Sequence, residues 1–109
     1  GDLTQARNLP SGQSSTESGY TSGGFAPPFV NTIDKFPFAA DANATDVGNL
    51  TQGRYGAAGQ SSTESGYTSG GRYSSVDNTI DKFSFAADAN ATDVGDLSVA
   101  SNYAAGQQY

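Results

Sequence analysis

The chain repeats itself. The run Gln-Ser-Ser-Thr-Glu-Ser-Gly-Tyr-Thr-Ser-Gly-Gly occurs unchanged at residues 13–24 and 60–71. Residues 1–47 and 48–94 align without insertion or deletion and agree at 34 of 47 positions. Residues 95–109 then begin a third copy. Near-identical units of this length are the mark of solenoids, propellers and arrays, in which no unit buries a core alone and each must stack on its neighbours.

Composition makes that stacking obligatory. Leu, Ile, Val and Phe supply 17 of 109 residues, below the roughly 20% at which a chain looks unable to fold. Taken alone, the Ser, Thr, Gly and Asn content suggests disorder; the repeat argues for a fold. The length allows one small domain or a piece of a larger one. The net charge of −6 comes from eleven acids and five bases, scattered singly as on a solvated surface. No basic patch could neutralise a row of phosphates, so nucleic acid is not an expected partner. No apolar run approaches the ~20 residues of a membrane span, and no signal-like segment opens the sequence. The chain has neither Cys nor His, which removes disulfides, ordinary zinc sites and the usual nucleophile–base pairs of acyl transfer.

Read in order, each unit gives short strands and no helical period. Residues 1–13 form a connection. Residues 13–17 and 20–22 are two extended segments around a Ser18-Gly19 turn, a hairpin pattern. Residues 25–30 are a loop by their Pro27-Pro28 pair, as are their counterparts 72–77. Residues 31–40 form the strongest strand, with Asp34, Phe36, Phe38 and Ala40 on one face by period-2 counting. The phenylalanines should bury, which puts Asp34 at the strand's end. Pro37 lies mid-strand and predicts a bulge or an N–H that had no partner. A turn at 41–44 and a last strand at 45–50 complete a four-stranded antiparallel meander.

Tyr20-x-x-Gly23-Gly24, then the Asn-x-Ile-Asp strand and Leu50-Thr51-x-x-Arg54, resemble the kelch repeat, the four-stranded blade of a β-propeller. The period is similar too. The wording of the unit is closer still to kelch-like repeats of tailed-phage structural proteins of the cyanophage type. The resemblance implies an all-β fold. It divides the chain into a partial repeat at 1–12, a blade with its connection at 13–59, a second blade at 60–94 and a partial third at 95–109. It also implies a virion or extracellular setting, no catalysis and no cofactor. Kelch-type oxidases hold copper through His and Tyr, and His is missing here. Two departures stand out. The kelch Trp is missing, leaving its space to Val47 or Ala44, and Ser101 stands where Arg7 and Arg54 stand in the full copies.

In such a blade the d–a and b–c connections open on one face. The two copies differ at thirteen positions, of which residues 8–11 and 25–30 account for ten. The turns of the opposite face have not changed. Loops also drift because they tolerate change, but these loops carry Asn8, Leu9, Phe25, Phe29, Tyr55, Arg72, Tyr73 and Tyr103. Aromatics and Arg suit contact with a protein or a sugar, which makes those eight residues the expected binding face.

Other chemistry reads more weakly. Asp41, Asn43 and Asp46, repeated as Asp88, Asn90 and Asp93, alternate like a calcium loop. The sixth position of such a loop requires Gly, however, and here it is Asp46; Asn and Asp are also ordinary turn formers. The sequons at Asn43, Asn49 and Asn90 fit the glycosylation pattern. Paired carboxylates could serve a glycosidase, yet the same acids recur in both copies, as structural residues would. Two blades cannot close a ring, since propellers use about four to eight, so copies of the chain are expected to complete it. Residues 1–15 and 95–109 then compete for one seat at each junction. A calcium-dependent extracellular stalk and a recently amplified or designed repeat without a native ligand are the alternatives.

Overall fold

A computed structural model of the chain describes residues 1–103. The third-copy reading for 104–109 lies outside the described residues. Ten strands run in the order β1 (Ser11–Ser14), β2 (Ser18–Ser22), β3 (Thr32–Pro37), β4 (Thr45–Asn49), β5 (Ala58–Ser61), β6 (Ser65–Ser69), β7 (Arg72–Tyr73), β8 (Ser75–Val76), β9 (Thr79–Ser84) and β10 (Thr92–Asp96). β1-β2-β3-β4 make one antiparallel four-stranded sheet, and β5-β6-β9-β10 make its copy. The all-β meander is therefore as expected, and the two sheets are not closed into a ring.

The first turn is centred on Thr16-Glu17, two residues earlier than the sequence suggested. Ser15 caps it: its Oγ accepts from the Glu17 and Ser18 amides at 3.2 and 2.9 Å, and its own N–H donates to Ser18 O. Ser18 and Gly19 are thereby freed to be strand. Glycine is needed at Gly19 for packing rather than turning. A Cβ there would lie 2.4 Å from the Phe36 ring, and one on Gly66 would lie 2.5 Å from Phe83.

The strongest strand is shorter than predicted. β3 ends at Pro37, and the Phe38 amide closes the β2–β3 ladder in register by donating to Glu17 O at 2.9 Å. Pro37 is thus terminal and no ladder donor is missed. The bulge lies instead in β4, where Val47 is the extra residue opposite Ile33 and Asp34; Val94 repeats it in β10. Asp34 is not at the strand's end. It is the third residue of β3 and fully buried. Residues 72–77 are not a plain loop either: Arg72–Tyr73 and Ser75–Val76 pair as a small hairpin around Ser74 at φ 55°.

The core lies between the sheets. Tyr20, Ile33 and Leu50, with Val47 beside them, meet Phe83, Ala91 and Phe85. The Tyr20 ring stacks on Phe85 at 4.8 Å and tilts against Phe83 at 5.6 Å. Each large apolar side chain so covered contributes about 1.5–3 kcal/mol. The expected burial of the phenylalanines holds only in the second sheet. Phe83 is buried, whereas Phe38, on the uncovered face of the first sheet, is 55% exposed. A phenylalanine buries here only where another sheet lies over it.

β1 and β5 meet along a polar seam. Gln13 Nε2 donates to Tyr67 O and lies 2.9 Å from Thr68 Oγ1, and the Ser14 amide donates to Ser61 Oγ. The backbones approach closely enough that a Cβ on Gly59 would lie 2.2 Å from Gly12 O. Small and polar residues close this seam by hydrogen bonding, which is how so apolar-poor a chain packs.

Candidate functional site

The connections between sheets are pinned by a repeated ion pair. Arg7 Nη2 meets Asp34 Oδ2 at 2.6 Å, and Thr4 donates to the same carboxylate through its amide and its hydroxyl. One unit later Arg54 meets Asp81 at 3.1 Å, and Thr51 repeats the role of Thr4. All four charged side chains are fully buried. Leu-Thr-x-x-Arg was visible in the sequence, and its partner Asp was visible too. Placing that Asp at a strand end hid their pairing. The second copy is not identical: Arg7 Nη1 donates to Gly23 O and Thr32 O, whereas Arg54 Nη2 donates to Thr68 O. Asp77 replaces Val30 and adds a carboxylate 3.2 Å from Arg54 Nη1.

With the connections held, one end of the molecule gathers the variable loops. Asn8 and Phe25 exchange backbone hydrogen bonds at 3.0 and 2.7 Å, as do Tyr55 and Arg72 at 3.2 and 2.9 Å. Leu9 O accepts from Gly56, and Gly56 O accepts from Tyr103, so three successive copies of one position lie side by side. The side chains then form a continuous aromatic strip. Phe25 meets Phe29 at 6.0 Å and Tyr55 at 5.5 Å. Phe29 stacks flat on Tyr55 at 5.7 Å and contacts Tyr73 at 4.9 Å. Tyr103 meets Tyr55 at 6.4 Å. Thus the eight residues of the expected binding face come together, five of them as one strip.

Within the strip the roles separate. Phe25, Phe29 and Tyr55 are half-buried and hold the loops to one another. Tyr73 and Tyr103 are 43% and 62% exposed and present ring surface outward. Offset rings with an apolar body and a polar hydroxyl suit stacking against a sugar ring or an apolar partner surface.

The acids of the 41–46 and 88–93 segments serve the backbone. Asn43 Oδ1 accepts from the Asp2 amide and Asn90 Oδ1 from the Asn49 amide. Asp46 and Asp93 each accept from the glycine amide two residues on. Asp88 lies 3.7 Å from Lys35 across the sheet junction, and Asp41 is exposed. Among the described residues no group of three acids gathers as a metal site would require.

No protein-family model matches the chain, and no curated protein matches it. The functional reading therefore rests on the sequence and the geometry above.

Proposed function

We propose that this chain is a non-catalytic structural or adhesion module that assembles with copies of itself into a kelch-like propeller. Its loop face would contact a protein or a glycan. The aromatic strip carries the reading. The loops in which the two copies diverge converge on one end and expose tyrosine rings there, while the turns at the opposite end are identical between copies. Change concentrated on one exposed aromatic face suits a surface under selection for its partner. The resemblance to tailed-phage structural repeats supports a virion or extracellular setting, with other virion proteins or a host-surface glycan as the partner.

The test is a glycan array probed with the labelled protein, beside a Tyr73→Ala/Tyr103→Ala variant checked for native circular dichroism. Binding that falls at least about tenfold in the folded variant, the scale of a lost interface anchor, supports the reading. Binding unaffected by the double substitution would remove the strip from the contact.

A further inference from the structure

The covered junction inside the chain has an uncovered duplicate on each outer side. Every residue that builds it recurs 47 positions away. On the first sheet, Tyr20, Ile33 and Gln13 are buried against the second. Their copies Tyr67, Ile80 and Gln60, on the outer side of the second sheet, are only half-buried, and Val94, the copy of Val47, is 51% exposed. On the second sheet, Thr68, Phe83 and Ala91 receive the first. Their copies Thr21, Phe36 and Ala44 line an open cavity of about 320 Å³ together with Leu3, the copy of Leu50. In the junction that is formed, the space between Leu50, Phe83 and Ala91 is occupied by Tyr20.

We propose that the cavity is a tyrosine socket for a second copy of this chain. The outer side of one copy's second sheet docks on the outer side of the next copy's first sheet. Tyr67 enters the socket and stacks on Phe38, as Tyr20 stacks on Phe85. Gln60, which bonds Ser69 at 3.0 Å within its own sheet, gains Tyr20 O and Thr21 Oγ1 of the neighbour, as Gln13 gains Tyr67 O and Thr68 Oγ1. Charge agrees: the Lys35–Asp88 pair recurs as exposed Lys82 on one side and exposed Asp41 on the other. The contact is heterologous, so repetition of the intrachain step gives a ring where its rotation closes and a filament where it does not; the discrete oligomer expected below is the closed case. This inference rests on the self-assembling reading above and specifies its partner and register.

The seat contested by the two terminal copies is also decided by the buried charges. Residues 1–8 already occupy the socket's rim. Asp2 bonds Asn43 and Ala44, and Thr4 and Arg7 hold Asp34. The neighbour's residues 95–102 would bring Ser101 in place of Arg and leave Asp34 buried without its cation, which is strongly unfavourable. Residues 1–8 keep the seat, and the C-terminal copy gives way beyond Val94, so that in the assembled form Tyr103 leaves the strip and Tyr73 carries its exposed ring surface.

The experiment is native mass spectrometry of the full chain over a concentration series, beside Val94→Lys and Phe38→Glu. Both positions are exposed, so both variants should keep wild-type circular dichroism. The expected result is a discrete wild-type oligomer, two variants that are each monomeric, and a 1:1 complex when the two are mixed, since each retains one intact docking side. In the oligomer, hydrogen exchange at the Leu97 and Ser101 amides, bonded to Asn78 O and Asp77 O in the single chain, should rise while that at the Thr4 amide does not. A wild-type monomer at every concentration overturns self-assembly altogether. An oligomer indifferent to both substitutions, or no recovery on mixing, overturns this junction and leaves self-assembly standing. Exchange rising at Thr4 and not at Ser101 overturns the assignment of the seat.

Discussion

Arg54 Nη2 lies 3.1 Å from Asp81 Oδ2, with both side chains fully buried, and ties the connection after the first sheet to the centre of the second. A second carboxylate, Asp77, reaches the same guanidinium at 3.2 Å. Breaking a buried pair from one side strands the other charge at a cost of about 3–5 kcal/mol. Arg54→Ala should therefore lower the denaturant midpoint by much of a small domain's stability of ~5–15 kcal/mol. Arg54→Met combined with Asp81→Leu should recover part of that loss, because the fully buried carboxylate is then no longer stranded and only the partly exposed Asp77 loses its cation. A double variant less stable than Arg54→Ala would contradict this account.

How much of this was legible beforehand follows from where each residue gets its partners. The four-stranded meander could be read because strand pairing within a unit is local and its Gly and Asn turns are written in the sequence. The aromatic face could be read because two copies of one unit reveal which loops change. The position of Asp34 could not. Period-2 counting placed it correctly on the face of Phe36, but a buried carboxylate is tolerable only beside Arg7, which lies 27 residues away. The exposure of Phe38 was equally hidden, since sequence alone does not say which sheet lacks a neighbour.

Stability should titrate through two groups. Burial raises the Asp77 carboxyl, but hydrogen bonds from the Thr79 amide and hydroxyl and the charge of Arg54 outweigh it, so its pKa lies below the ordinary value of 3.8. A depressed carboxylate contributes stability that is present above its unfolded value and lost as pH falls through its folded one. Acid unfolding of the wild type should thus have a component below pH 3.8 that Asp77→Asn lacks.

The alkaline flank has the opposite sign. Burial chiefly raises the Tyr20 phenol above its ordinary 10.0. Its stabilisation is fully present below pH 10 and fades as pH rises through the folded value. Tyr20→Phe should flatten the stability curve above pH 10, as followed by thermal melts across that range.

The two glycines under phenylalanine rings should respond unequally to the same change. A Cβ would meet the ring at 2.4 Å on Gly19 and at 2.5 Å on Gly66, so geometry alone does not separate them. The rings differ in freedom. Phe83 is 3% exposed and packed on Tyr20 and Phe85, while Phe36 is half-buried beside an open cavity. Gly66→Ala should cost about 1–3 kcal/mol, the range for overpacking a filled core, and Gly19→Ala clearly less. Equal losses in urea melts would mean that the Phe36 ring cannot move.

Tyr20 and Tyr67 hold the same place in identical sequence and strand register, and only cover distinguishes them. Tyr20 is 3% exposed between two phenylalanines; Tyr67 lies on the outer side of its sheet and is half-buried. Removing a large buried aromatic costs about 3–5 kcal/mol, part of it the cavity left behind. At concentrations where the chain is monomeric, Tyr20→Ala should approach that range. Tyr67→Ala should stay near 1 kcal/mol or less, because its atoms leave water's edge rather than a filled core. At concentrations where copies assemble, the gap should close, as Tyr67 acquires the cover that Tyr20 already has. Unfolding midpoints for both variants across a dilution series read this directly. A gap that persists undiminished in an assembled sample would show that Tyr67 is not at the contact.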